Sequence, residues 1–248
     1  MANTRSADYT PPPNQHFGAD ESGGGGNDYD FNFEYDKRIT ENTAVIVNDG
    51  YSILQQQGAG TRNGWQNLSV ALKWQAHVNA EHEVIVSLGV IRECARTGSA
   101  SLGNDDVGST TPTLYFGKGL GNLPVAWLRP LAFNKSIENR WTGGASVQYS
   151  LPYLQSQVRD LGLPEFFGRL TPLLEVAWSS PASKANSLGT QVLFGVGVVY
   201  TATAYAIGVE ALIPGNRQTG TSVGFLAQLH LYLDDLLPNT LGKPLIDW

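Results

Sequence analysis

Apolar and polar residues alternate with a period of two along most of the chain, and the longest clean run lies near its end. From Val223 to Leu233 the residues Val223, Phe225, Ala227, Leu229, Leu231 and Leu233 are all apolar. Gly224, Leu226, Gln228, His230 and Tyr232, which separate them, are small, polar or mixed. Successive side chains of a pleated strand point to opposite faces, so this period predicts a β-strand. Its length exceeds the five or six residues usual in soluble proteins and matches the roughly 9–11 that a tilted strand needs to cross a bilayer's hydrocarbon.

The same pattern recurs upstream. Phe31, Phe33 and Tyr35 alternate with Asp30, Asn32, Glu34 and Asp36. Thr43 to Leu54 is a second candidate, in which Asn48-Asp49-Gly50 predicts a bend or bulge. Within Gly64 to Val78, the residues Leu68, Val70, Leu72, Trp74 and Ala76 oppose Asn67, Ser69, Ala71, Lys73 and Gln75; Val84 to Ile91 follows after a tight turn at Asn79-Ala80-Glu81. Thr111 to Lys118, Pro124 to Phe133 and Trp141 to Tyr153 continue the series. The segments around Leu170 to Trp178, Val192 to Tyr200, and Tyr205 to Ile213 lead into the run at Val223. Arg159 to Gly168 reads as a connection with a helical turn.

Eleven strand candidates result. Single-chain bacterial barrels have an even number, so twelve are expected, with ten or fourteen as alternatives. The missing strand is expected near Tyr9 to Phe17 or from the splitting of a long segment; the alternative is an N-terminal segment threaded through the lumen. Tight turns at 79–81 and 201–203 alternate with long connections at 55–63, 95–110, 179–188 and 214–221, the asymmetry of periplasmic turns and external loops. Three segments are expected: a Pro/Gly-rich stretch 1–29, a barrel 30–235 and an extension 236–248. The first of these holds too little apolar surface to offset its ordering entropy.

Composition sharpens the class. Charged residues make up 15% of the 248, against about 25% in ordinary soluble domains. Hydrophobic residues reach 42%, yet no run approaches the 18 apolar residues of a membrane helix. A soluble barrel or sandwich would turn Lys- and Glu-rich faces to water. Here the non-apolar faces carry Gly, Ser, Gln, Asn, Ala and Thr with isolated charges, suited to a narrow wet lumen. Trp74, Trp141, Trp178, Tyr200 and Tyr205 sit toward the ends of apolar faces, which predicts aromatic girdles at the headgroup level. The fold class read from this is all-β, a transmembrane antiparallel meander β-barrel. A net charge of −6 without a basic cluster argues against a nucleic-acid partner, and a lone Cys94 excludes an internal disulfide. Residues 1–5 lead into Ser, Asp, Tyr and Pro with no apolar core of a signal peptide, so the sequence is expected to be a mature form.

Four stretches carry a resemblance: Phe116-Gly117-Lys118-Gly119, Ser150 to Ser156, Ile207 to Pro214 and Phe225 to Asp235. Through them the chain resembles the outer-membrane β-barrel transporter families of Gram-negative bacteria, near the meta-pathway phenol-degradation type. That resemblance implies a pore of about a dozen strands passing small solutes. It departs from the family at its end, where Leu236 to Trp248 extends past the last strand.

The face assignment points Lys73, Glu175, Glu210, His230, Gln228, Gln148, Gln191 and Asn67 inward as lumen-lining candidates. Charged rings in a lumen tune selectivity; ion pairs and amide networks that merely fill a narrow barrel are the alternative. Glu175 and Glu210 fall on the eighth and tenth strands, too far apart to be assumed partners. His77 and His82 flank a turn with Glu81 and Glu83 but lack metal-ligand spacing, so neither metal nor cofactor is expected. A Ser/His pair would have to meet lipid on the outward face, whereas His230 points the other way, so enzymatic activity is not expected. Arg92 shares an apolar face with Cys94 and suits lipopolysaccharide phosphates or interfacial snorkelling. The expected function is an outer-membrane channel, or porin-like facilitated-diffusion transporter, for small solutes, with outer-membrane lipids and lipopolysaccharide as its surroundings. A non-conducting structural or partner-binding barrel is second and a lipid-modifying enzyme third.

Overall fold

A computed structural model describes residues 26–56, 60–102, 108–120, 123–128, 131–135, 139–182, 189–242 and 245–246. Among them the chain is one mainly antiparallel sheet that curls on itself, with only short helical turns. Its strands are β1 (Gly26–Thr40), β2 (Thr43–Gln56), β3 (Gly60–Trp65), β4 (Ser69–Asn79), β5 (Val84–Glu93) and β6 (Thr110–Leu120). They continue with β7 (Leu123–Leu128), β8 (Leu131–Lys135), β9 (Asn139–Tyr149), β10 (Leu170–Pro181), β11 (Gln191–Thr201), β12 (Tyr205–Pro214) and β13 (Gly224–Leu231). No helix of the described residues is long and apolar enough to cross a membrane.

Thirteen strands occupy eleven lanes. β3 and β4 are two halves of one lane: Gln56 to Tyr51 of β2 pair with Gly60 to Trp65, and Thr43 to Asn48 pair with Trp74 to Ser69. Gln66-Asn67-Leu68 bridge the halves opposite Asp49-Gly50. The bend expected at Asn48 to Gly50 therefore lies on the facing strand, while β2 itself runs on unbroken against β1. At Gly50 the Asn32 and Gln66 side chains close over the bare backbone, at 2.6 and 2.8 Å from where a Cβ would lie. β7 and β8 likewise share the lane between β6 and β9. Splitting a long segment thus adds no lane, and the twelfth strand expected near Tyr9 to Phe17 falls outside the described residues.

Other expectations shift at the edges. β1 begins at Gly26 rather than Asp30. Within 55–63, expected as a loop, Gln55 and Gln56 belong to β2 and Gly60 to Asn63 to β3, while 57–59 lie outside the described residues. Strand β9 stops at Tyr149, where Ser150 Oγ accepts from the Tyr153 N–H (3.2 Å) as an N-cap and Pro152 opens a helical turn. β13 ends at Leu231, and Leu233–Leu236 form a further turn.

Eleven lanes in strict up-and-down order leave the first and last running the same way. Among the described residues neither β1 nor β13 has a second ladder partner. The tail beyond β13 nevertheless reaches β1: Arg38 pairs with Asp234 (2.8 Å), Lys37 Nζ donates to the Leu241 carbonyl, and Ile246 N–H donates to Ile39 O (3.0 Å). The two ends of the sheet are joined at the rim of tight turns.

Burial is inverted relative to a water-soluble fold. The only buried hydrophobic side chains among the described residues are Ile46, Ala71, Leu173 and Ala206. The buried polar set is larger and includes Ser52, Ser69, Ser87, Thr111, Thr113, Ser146, Thr171, Ser179 and Glu210. Val70, Leu72, Leu88, Val90, Val147, Leu174, Val196, Ile207, Val209 and Leu229 are exposed, and Phe225 is 84% exposed. Alternation assigned these two sets to opposite faces. The curl encloses the polar one and turns the apolar one out.

Candidate functional site: the enclosed polar face

On β10 to β13 the enclosed face is small and mostly uncharged, so its few polar side chains stand clear. Gly195 of β11 lies opposite Glu175 of β10, and Gly197 lies opposite Glu210 of β12. The bare backbone lets the two carboxylates approach over β11. A Cβ on Gly195 would lie 2.9 Å from Glu210 Oε2 and 3.3 Å from Glu175 Cβ. The eighth and tenth lanes therefore do bring these glutamates together, contrary to the spacing-based expectation. Glu210 is 4% exposed; its Oε1 accepts from Gln228 Nε2 at 3.3 Å, and its Oε2 has no hydrogen-bond partner among the described residues. Gln228 Oε1 lies 2.9 Å from His230 Nε2. Four of the residues singled out by alternation, Glu175, Glu210, Gln228 and His230, thus form one line across the wall.

The others lie elsewhere on the same face. Lys73 of β4 sits with its ammonium 4.9 Å from the Tyr115 ring centroid, a cation–π distance. Asn67, in the break between β3 and β4, donates to Glu93 Oε1 (3.2 Å) and accepts from the Gly98 N–H (3.1 Å), which ties the loop after β5 to the rim. Gln191 is buried and donates to the Gln218 carbonyl (3.2 Å), bracing the loop between β12 and β13. Gln148 stands opposite Leu173 on the neighbouring strand. These amides hold the wall together and leave β10 to β13 as its chemically distinct part.

A second polar group was missed by spacing alone. Ser52 Oγ donates to Asp30 Oδ1 (2.5 Å), Gln66 Nε2 donates to Ser52 Oγ (2.8 Å), and Asn48 Nδ2 donates to Glu34 Oε2 (3.0 Å). These bonds place the acidic side of β1 on the enclosed face, so Asp28, Asp30, Glu34 and Asp36 belong there by alternation. At the loop rim Arg140 donates through Nε to Ser179 Oγ (2.8 Å) and through an Nη to the Gly189 carbonyl (3.2 Å). Among the described residues the enclosed face therefore carries Asp28, Asp30, Glu34, Asp36, Glu93, Glu175 and Glu210 against Arg38, Arg62, Lys73 and Arg140, a net acidic surface.

The five aromatics expected as girdles divide between the two ends of the sheet, while Phe31, Phe33 and Tyr35 face outward along β1. Trp141 and Trp178 lie toward the long-loop end, with the Trp178 ring against the bare Gly143 backbone, where a Cβ would be 2.4 Å away. Trp74, Tyr200 and Tyr205 lie toward the tight-turn end, joined by Tyr149. The connection after β9 adds Phe166, stacked on Tyr200 at 5.4 Å and 22°, and the exposed Phe167. Trp141 to Tyr149 on β9, and Val192 (opposite Trp178) to Tyr200 on β11, span about 27 Å along the strand. At a tilt near 40° that is about 20 Å, close to the apolar band of a membrane barrel.

The tight-turn rim carries one further polar contact. Tyr153 donates its hydroxyl to Glu83 Oε1 (3.1 Å), and this carboxylate raises the phenol above its ordinary pKa. Glu83 holds a left-handed backbone at φ 51°, next to Gly119, whose N–H donates to the Glu83 carbonyl (2.8 Å). His77 and His82 belong to this rim, and no cluster of three metal-ligating side chains occurs among the described residues. Arg92, exposed near the loop end of β5, donates to Thr110 Oγ1 (2.7 Å).

No family model matches the chain, and no curated protein matches it.

Proposed function

We propose that the chain is an outer-membrane β-barrel that passes small solutes by diffusion along its enclosed polar face. The carrying observation is the inverted burial: a continuous apolar face turned outward, with Trp and Tyr toward its two ends about 20 Å apart, near the roughly 25 Å apolar band of membrane barrels. Such a face in water would be far larger than the few hundred Å² of apolar patch that soluble monomers tolerate. In lipid it is ordinary, and the strand edges must then be satisfied by closure.

Closure in lipid asks for an even number of lanes. With β1 and β13 running the same way, a fully antiparallel barrel takes one more strand, antiparallel to both, and so has twelve lanes. Lipid and lipopolysaccharide are the neighbours of the outward face, with Arg92 near the loop-side headgroups. The test has two stages. Purified protein should stay monodisperse only in detergent or lipid, and should then give discrete conductance steps in planar bilayers. Monodispersity in plain buffer overturns the membrane assignment; insertion without conductance favours the structural, non-conducting barrel.

A further inference from the structure

We infer that Glu175 and Glu210, facing one another over Gly195, form a binding site for a small monovalent cation, inorganic or an ammonium group, on the enclosed wall. This names the solute class of the channel proposed above and rests on that reading for its transport role, but not for its existence as a site.

Three observations converge on it. Glu210 is almost wholly buried and already anchored on one side by Gln228, so its position is set. Its Oε2 projects without a hydrogen-bond partner among the described residues into the gap above Gly195. A buried carboxylate oxygen left bare costs far more than one that is compensated. The second carboxylate borders the same gap, since Glu175 Cβ and Cγ lie 3.3 and 3.7 Å from the point a Gly195 side chain would occupy. Like charges this close disfavour joint ionisation unless a positive group sits between them. Lastly, the gap exists only because residue 195 lacks a side chain.

The chemistry selects the ligand. Two carboxylates and a neighbouring amide provide hard oxygen donors but not the six to eight that calcium takes, nor the nitrogen or sulfur donors zinc prefers. Sodium, potassium or a primary ammonium needs less and exchanges quickly, as a permeating ion must: favourable enough to enter, weak enough to leave. The acidic side of β1 on the same enclosed surface would concentrate cations ahead of the site.

The experiment uses full-length protein in detergent micelles and in planar bilayers. Sodium-23 relaxation measured against protein concentration should show bound sodium that potassium displaces. Under a NaCl gradient the reversal potential should report preference for sodium over chloride. Glu210→Gln and Glu175→Gln should each lower both, by at least about five-fold per carboxylate, the value in bulk water for an ion about 4 Å away. Gly195→Ala keeps every charge and fills the gap, so it should weaken sodium binding while general acidity is unchanged. Its Cβ would meet side-chain atoms, Glu210 Oε2 at 2.9 Å and Glu175 Cβ at 3.3 Å, rather than backbone, so this variant keeps the test open if a glutamine variant does not fold. Bound sodium that survives Glu210→Gln and Gly195→Ala, or no bound sodium in the parent, overturns the inference. Conductance without cation preference overturns it and leaves the channel standing. Absence of conductance with sodium still bound at Glu210 does the reverse: the site stands and the channel falls.

Discussion

Val196 offers the sharpest test of which solvent touches the outward face. It is 47% exposed, lies on the outward side of β11, and is midway between Val192, opposite Trp178, and Tyr200. If the two aromatic levels mark the headgroups, Val196 is about 10 Å from either, at the centre of the hydrocarbon. An arginine at such a midplane costs about 2–4 kcal/mol, falling to about 0–1 near the interfaces. Val196→Arg should therefore destabilise the barrel by about 3 kcal/mol and Val192→Arg by under about 1 kcal/mol. Reversible guanidinium unfolding from lipid vesicles, followed by tryptophan fluorescence, measures both. On a water-facing sheet both substitutions would be surface changes within about 0.5 kcal/mol of neutral. Equal costs at the two depths, or none at Val196, would refute the reasoning whatever the conductance.

Other expectations are more local. Gly197→Ala places a Cβ 2.2 Å from Glu210 Cγ and 2.6 Å from the Val209 carbonyl, where backbone cannot give way. It should cost about 1–3 kcal/mol in the same unfolding assay, whereas Gly224→Ala, whose nearest neighbour is at 3.6 Å, should be near neutral. In a Cys94→Ser background, cysteine pairs combining position 31, 33 or 35 with 225, 227 or 229 should resist disulfide formation if the proposed twelfth strand lies between β1 and β13, since it would hold them about 10 Å apart. They should still accept a bifunctional reagent of that length; ready disulfides would instead mean direct parallel pairing. In an alkaline titration read at 295 nm, Tyr153 should ionise late, because its neutral hydroxyl donates to Glu83. The contact contributes fully below the ordinary tyrosine pKa and is lost as pH rises through the raised one. Glu83→Gln should remove the late component.

The lanes were legible because a period of two survives any curvature: each side chain's face depends only on its parity along the strand. All eleven lanes correspond to runs read from alternation. What parity does not encode is the partner. The break at Gln66 to Leu68 and the interruption between β7 and β8 depend on the neighbouring strands, so each appeared as one continuous strand. The end of β9 was readable from the capping Ser150 with Pro152, a signal overridden by the apolar Leu151 and Tyr153. The meeting of Glu175 and Glu210 needed the register of three strands at once. Gly195 and Gly197, two residues apart in an otherwise β-branched run, were the available hint that something approached the backbone there.

The joint between the tail and β1 bears on how such a chain is made. Arg38 emerges from the ribosome long before Asp234, Leu241 and Ile246. Their contacts at the tight-turn rim can form only once the segment after β13 has been made. A chain cut just after Leu231 would hold every described lane of the sheet and still lack this fastening, so tying the first lane to the last waits on a stretch that belongs to neither.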